Sequence, residues 1–188
     1  FRKFQQHDIQ LAIYSFLAIV VYCLINLGSL SPIHCRLSTT MIGLICVLLS
    51  VQGGAGICAI LGFKTSEIHE TLPILMLGIG VDDMFVICNA LDQTSLNLPP
   101  ERRLRESMRH AGASILITSL TNALAFLSGA GSTIPAIASF CVYAAVTVML
   151  LYISVLTIFL PWIFWDTRRV AKHRRECCGL CFCREDSV

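Results

Sequence analysis

Of 188 residues, 55% are hydrophobic and only 14% are charged, with mean hydropathy +0.73 and formal net charge +2. An ordinary soluble domain carries roughly 25% charged residues. Leu37–Phe63 and the 55 residues Ala111–Trp165 hold no Asp, Glu, Lys or Arg, which excludes a soluble globular domain.

A membrane helix needs about 20 apolar residues at ~1.5 Å rise each. The pattern predicts an all-α, polytopic membrane bundle of about five spans over residues 1–165. The first span is 9–28, closed by Gly28, Ser29 and Pro32. The second, 37–61, carries Gln52-Gly53-Gly54-Ala55-Gly56 in its outer half. The third, 71–91, opens with Pro73 in its first turn, where a missing N–H matters little. Pro99-Pro100 reads as a helix start, followed by a short amphipathic helix that either lies on the inner leaflet through Leu104, Met108 and Ala111 or is solvated. The fourth span is 111–129. Gly129-Ala130-Gly131-Ser132-Thr133-Ile134-Pro135 breaks the uncharged run, and the fifth span is 136–165, with Trp162 and Trp165 as an interfacial belt.

Lys and Arg set the orientation. Arg36, Arg102, Arg103, Arg105, Arg109, Arg168, Arg169, Lys172, Arg174, Arg175 and Arg184 fall on one side, against Arg2, Lys3 and Lys64 on the other. The positive-inside rule makes the richer side cytoplasmic and the N-terminus extracytoplasmic. With no signal peptide ahead of the first span and no Met before Met41, this predicts an excised segment with a span upstream. Residues 166–188 read as a basic, cysteine-rich cytoplasmic tail, and Arg168–Arg175 suits anionic lipid.

Asp82 and Asp83 stand near the middle of the third span, within Leu77-Gly78-Ile79-Gly80-Val81-Asp82-Asp83-Met84-Phe85. One Asp at a helix centre costs about 2.5–3.5 kcal/mol on insertion scales, and two like charges side by side cannot both ionise cheaply in a dry site. At least one should bind a proton, or both should share a monovalent cation. The plainer role is hydrogen-bonded glue between helices. Gly78 and Gly80 remove side chains near the pair. Thr118, Thr121 and Asn122 form a polar stripe on the fourth span that either bonds the carboxyls or satisfies its own helix.

Gly78-Ile79-Gly80-Val81-Asp82-Asp83 resembles the signature of the Patched-related branch of the resistance-nodulation-division superfamily. Thr118-Ser119-Leu120-Thr121-Asn122-Ala123-Leu124-Ala125-Phe126 and Phe140-Cys141-Val142-Tyr143-Ala144-Ala145 are similar to its following spans. The resemblance covers about 9–183 and identifies the chain as a sterol-sensing domain of the Patched, Dispatched and Niemann–Pick type C family. It implies half of a lipid or sterol transporter, coupled to a cation or proton at the Asp pair, with its partner half in the same polypeptide. The alternative is a sterol-sensing regulatory module without net transport. It also implies a bound sterol, for which Gly53, Gly54 and Gly56 could line a cleft; tight helix packing explains these glycines equally well.

Cys23, Cys46, Cys58, Cys88 and Cys141 lie in spans and read as small apolar residues. Cys177, Cys178, Cys181 and Cys183 follow the basic run, which suits S-palmitoylation better than a cramped zinc site. His7, His34, His69, His110 and His173 show no metal spacing. No nucleophile constellation points to an enzyme, and Arg clusters flanking spans argue against nucleic-acid binding.

Overall fold

The computed structural model describes residues 37–62, 67–95, 98–171, 175–177 and 181–183, together with Tyr14, Leu17, Ala18 and Val21. The described residues form α1 (Leu37–Ile60), a 3-10 turn (Glu67–Thr71), α2 (Leu72–Asp92), α3 (Pro100–Gly129), α4 (Pro135–Ser154), a π-helical turn (Val155–Phe159) and α5 (Leu160–Ala171). Strands β1 (Arg175–Cys177) and β2 (Cys181–Cys183) follow as a small antiparallel hairpin. The expected span 9–28 lies outside the described residues apart from Tyr14, Leu17, Ala18 and Val21, which are helical.

Among the described residues, four helical rods are long and apolar enough to cross a bilayer: Ser38–Ile60, Ile68–Asp92, Pro100–Gly129 and Pro135–Arg169, the last joining α4, the π turn and α5. Short connections make successive rods antiparallel. Each packs on the next, and α4 returns to pack on α1, so the four close into a ring. Its interior holds Val47, Met76, Met84, Ile87, Tyr143, Val148, Leu151 and Phe159. The outer faces are apolar as well: Met41, Ile45, Leu48 and Leu49 on α1 are exposed, and so are Ile117, Leu120 and Leu124 on α3. Helices apolar on every side belong in lipid, where an outward Leu is at home.

Two features differ from the sequence reading. The helix holding the fourth span begins at Pro100, not Ala111. No separate interfacial helix precedes it, because nothing between Pro100 and Ala111 interrupts the helical backbone. At 30 residues α3 is about 45 Å long, well beyond a hydrocarbon core of ~30 Å. Leu104 and Met108 pack against the helical core rather than facing a leaflet, while Arg102, Arg105 and Arg109 are exposed.

The fifth span is not one regular helix. In the π turn, the Leu160 N–H donates to the Val155 carbonyl, five residues back. This irregularity sits beside a polar contact between α1 and α4. Ser50 Oγ donates to Cys46 O at 2.7 Å and lies 3.1 Å from Ser154 Oγ. The Cys46 thiol reaches Ser154 O at 3.9 Å. Side-chain hydroxyls here fasten two apolar rods that the hydrophobic effect alone would not hold together in lipid.

Candidate functional site

Gly78 and Gly80 aside, the residues around Asp82 and Asp83 are Leu, Ile, Val, Met and Phe, and α2 runs without a local break through the pair. Consecutive residues on a helix point about 100° apart. That angle separates the two carboxyls. Asp83 is 5% exposed and faces the ring. Asp82 is exposed, on the outer face of α2 with Leu75, Gly78, Val86 and Asn89. The Asp83 Oδ2 atom is buried and has no hydrogen-bond partner among the described residues.

Gly80 and Gly78 behave differently. A Cβ at Gly80 would overlap Val47 Cγ2 on α1 and come within 3.4 Å of Leu151 Cδ2 on α4. The missing side chain lets α2 approach two helices at once, three residues before Asp83. A Cβ at Gly78 would meet nothing within 4 Å, since it lies on the outer face beside Asp82. The α1 glycines divide likewise. Gly54 is pressed against Thr147 on α4, and a Cβ at Gly53 would sit 3.4 Å from Leu150 Cδ1. Gly56 opens onto empty space. Gly54 is therefore a helix-packing residue, while Gly53 and Gly56 lie on an exposed face.

The threonines of the polar stripe on α3 turn their hydroxyls back onto their own helix. Thr118 Oγ1 donates to Ser114 O and Ile115 O at 3.1 and 3.0 Å. Thr121 Oγ1 donates to Ile117 O and Thr118 O, both at 2.9 Å. Both threonines are exposed and Asn122 is half-buried. The inward stripe of α3 is instead Arg103, Ser107, Ala111, Ile115, Ser119 and Ala123.

Arg103 contributes something the sequence reading left among the loop arginines. It is buried; its NH2 group donates to Leu91 O at 3.1 Å and its Nε to Thr94 Oγ1 at 3.2 Å. Thr94 Oγ1 also donates to Leu91 O at 2.6 Å. Together they satisfy a carbonyl at the C-terminus of α2, where the helix dipole favours a cation. The end of the Asp-bearing helix is thereby tied to α3. Nothing in an Arg-rich segment marks Arg103 out from Arg102 or Arg105; only its inward position does.

Arg169 also turns inward. It pairs with Asp166 at 2.6 Å, with side chains 4% and 9% exposed, so it is not presented to lipid as Arg168–Arg175 was expected to be. Arg168 is exposed, with its guanidinium 5.2 Å from the Phe164 ring centroid. Cys46, Cys58, Cys88 and Cys141 are buried in the helices, whereas Cys23 and Cys178 lie outside the described residues. Among the described residues no three of His, Cys, Asp and Glu gather closely enough to hold a metal ion.

A family model described as the sterol-sensing domain of SREBP cleavage-activation matches residues 32–184. A Niemann-Pick type C1-related protein of Toxoplasma gondii is 37% identical over 155 residues, covering 82% of this chain and 13% of that protein. Protein patched homolog 2 of Homo sapiens is 35% identical over 144 residues, covering 75% of this chain and 12% of that protein. Its Mus musculus counterpart is 30% identical over 181 residues, 96% of this chain and 15% of that protein. The chain thus spans only about an eighth of the length of these curated relatives.

Proposed function

This chain belongs to the sterol-sensing domain family, and from that membership we propose that it is the membrane half-domain of a Patched-like lipid or sterol transporter, coupled to a proton or monovalent cation at Asp82 and Asp83. Membership supports a sterol-related function in an integral, multi-pass membrane protein. The coupling rests on one observation: Asp83 is buried mid-helix with an oxygen that no described residue bonds. An ionised carboxylate left that way is strongly unfavourable, so the group holds a proton or a cation in at least one state of a working cycle.

The two carboxyls take different roles. Asp83 faces its own bundle and senses helix packing through Gly80. Asp82 faces outward, on a surface suited to the second half of the same polypeptide. The ligand is a membrane lipid or sterol moving beside these helices, and no enzyme chemistry is assigned. The Lys and Arg bias supports a cytoplasmic position for the segment after α5 and an extracytoplasmic N-terminus.

A second reading, sterol-responsive regulation without net transport, draws on the description of the matching family, which names SREBP cleavage-activation. The carboxyls discriminate, because a sensor has no cation to move. The test uses the full-length protein in sterol-containing vesicles, with flux measured against an imposed proton or sodium gradient. Asp83→Asn and the double variant with Asp82→Asn should abolish the dependence on the gradient. Unchanged gradient-driven flux in a correctly folded double variant rejects coupling. Absence of net flux in a wild-type protein that still binds sterol favours the regulatory reading.

A further inference from the structure

Several hydroxyls along the rods are taken up by their own helix. Thr118, Thr121, Thr147, Thr157 and Thr167 each donate to a carbonyl four residues back. Thr39 on α1 and Ser107 on α3 differ. Each is 1% exposed, and each has its hydroxyl oxygen buried with no hydrogen-bond partner among the described residues. The same holds for the indole Nε1 of Trp162 on α5. Buried polar groups are as a rule bonded to protein or to ordered water.

Contacts between rods fix the depth of these groups. A Cβ at Gly43 on α1 would overlap the Met84 side chain on α2, so those two residues are level. Thr39 is one turn from Gly43, and hence about 6 Å nearer the end where α2 finishes. Arg103 on α3 bonds Leu91 O, and Ser107 lies one turn, about 6 Å, further in. Leu91 itself is about 12 Å along α2 from Asp83. Thr39 and Ser107 therefore stand at one depth, midway between Asp83 and the end of α2. Leu151 on α4 is level with Gly80, and α4 runs in the same direction as α2, which puts Trp162 at the depth of Leu91. α5 packs on both α1 and α3, the helices that carry the two hydroxyls.

We propose that these groups hold a short chain of water that leads a proton between Asp83 and the cytoplasmic end of the ring. The inference rests on the coupling reading and the orientation given above, and it names the ion. A hydroxyl both donates and accepts, so Thr39 and Ser107 can carry a hydrogen-bonded chain in either direction. An indole N–H only donates, so Trp162 anchors a water without relaying through it. Steps of about 6 Å are too long for one hydrogen bond and fit a bridging water. A sodium ion needs a cluster of oxygens to replace its hydration shell, and two hydroxyls are too few. The buried arginines near this end do not bar a proton: Arg103 lies on the carbonyl end of α2, and Arg169 is paired with Asp166. In the step itself, the Asp83 carboxyl gives its proton to the adjoining water and each member of the chain passes one on. One proton leaves at the cytoplasmic end, Asp83 is left as a carboxylate, and nothing is oxidised or reduced.

The test uses full-length protein reconstituted in vesicles. Hydroxyl-radical footprinting by X-ray radiolysis marks buried side chains that lie beside bound water. Met84 and Cys88, buried at the depth of the chain, should be marked, whereas Met76, buried on the far side of Asp83, should not. Thr39→Val with Ser107→Ala should lose the marks, and flux driven by a proton gradient should fall roughly tenfold, as for one lost hydrogen bond. Thr39→Ser with Ser107→Thr keeps both hydroxyls and should keep marks and flux; a loss there equal to that of the first pair shows a packing role and overturns the proposal. So do unmarked Met84 and Cys88 in the wild type, and flux that follows a sodium gradient alone. If Asp83→Asn abolishes gradient dependence while Thr39→Val with Ser107→Ala leaves flux unchanged, the water chain falls and the coupling stands. Unchanged gradient-driven flux in Asp83→Asn overturns both.

Discussion

A methyl group added at Gly80 would be driven into Val47 Cγ2 on α1 and would lie 3.4 Å from Leu151 Cδ2 on α4. Carbon atoms rest at about 3.5–4.0 Å, so relief needs α2 to shift away from α1 by roughly 1 Å. Val47 cannot easily swing aside: a β-branched residue in a helix has one strongly preferred rotamer, and Val47 is 2% exposed. Overpacking of this kind costs about 1–3 kcal/mol. Alanine returns up to ~1 kcal/mol as a better helix former than glycine. The expected net loss for Gly80→Ala is therefore about 0–2 kcal/mol, or up to roughly 30-fold in the folded-to-unfolded ratio. Val47→Ala removes the methyl groups that collide, so the pair should be strongly non-additive. Unfolding of the full-length protein in detergent is followed for wild type, both single variants and the double variant. The coupling should favour the double variant by about 1 kcal/mol or more, within the range seen for contacting residues. Additivity to within ~0.5 kcal/mol would show that the helices do not meet at this point. Because Asp83 lies three residues further on, gradient-driven flux should fall in Gly80→Ala and recover in the double variant.

Thr118→Val combined with Thr121→Val should leave gradient-driven flux at the wild-type level, since both hydroxyls bond carbonyls of their own helix. A flux loss matching that of Asp83→Asn would mean that the threonines serve the carboxyls after all. Arg103→Gln removes the guanidinium from Leu91 O and Thr94, a charge-assisted pair of bonds worth about 1.5–3 kcal/mol. Hydrogen exchange should quicken at the C-terminal turn of α2 and through Thr94, while α1 keeps its protection; unchanged exchange there would refute the tie between α2 and α3.

The sequence alone carried the membrane character, the break between Gly129 and Pro135 and the mid-helix position of the carboxyl pair. Uncharged length, Gly and Pro interruptions and the cost of an Asp in hydrocarbon are properties of chain composition, independent of how helices assemble. It also carried the family, through the Gly78-to-Asp83 motif and the spans that follow. It did not show where the α3 helix begins, because a charged amphipathic turn reads alike as a surface helix or as an extension of a span. Nor did it reveal which way anything faces. These helices are apolar on every side, so hydropathy measures their length and leaves their rotation undetermined. Only packing decided that Asp83 is buried while Asp82 is exposed. Packing likewise presses Gly54 and Gly80 against neighbours and leaves Gly56 and Gly78 open. The inward turn of Arg103 and Arg169, and the contact of Ser50 with Ser154, belong to the same class. In lipid, helix contacts are chosen by steric fit and hydrogen bonds rather than by escape from water, and those depend on residues far apart in the chain meeting in space.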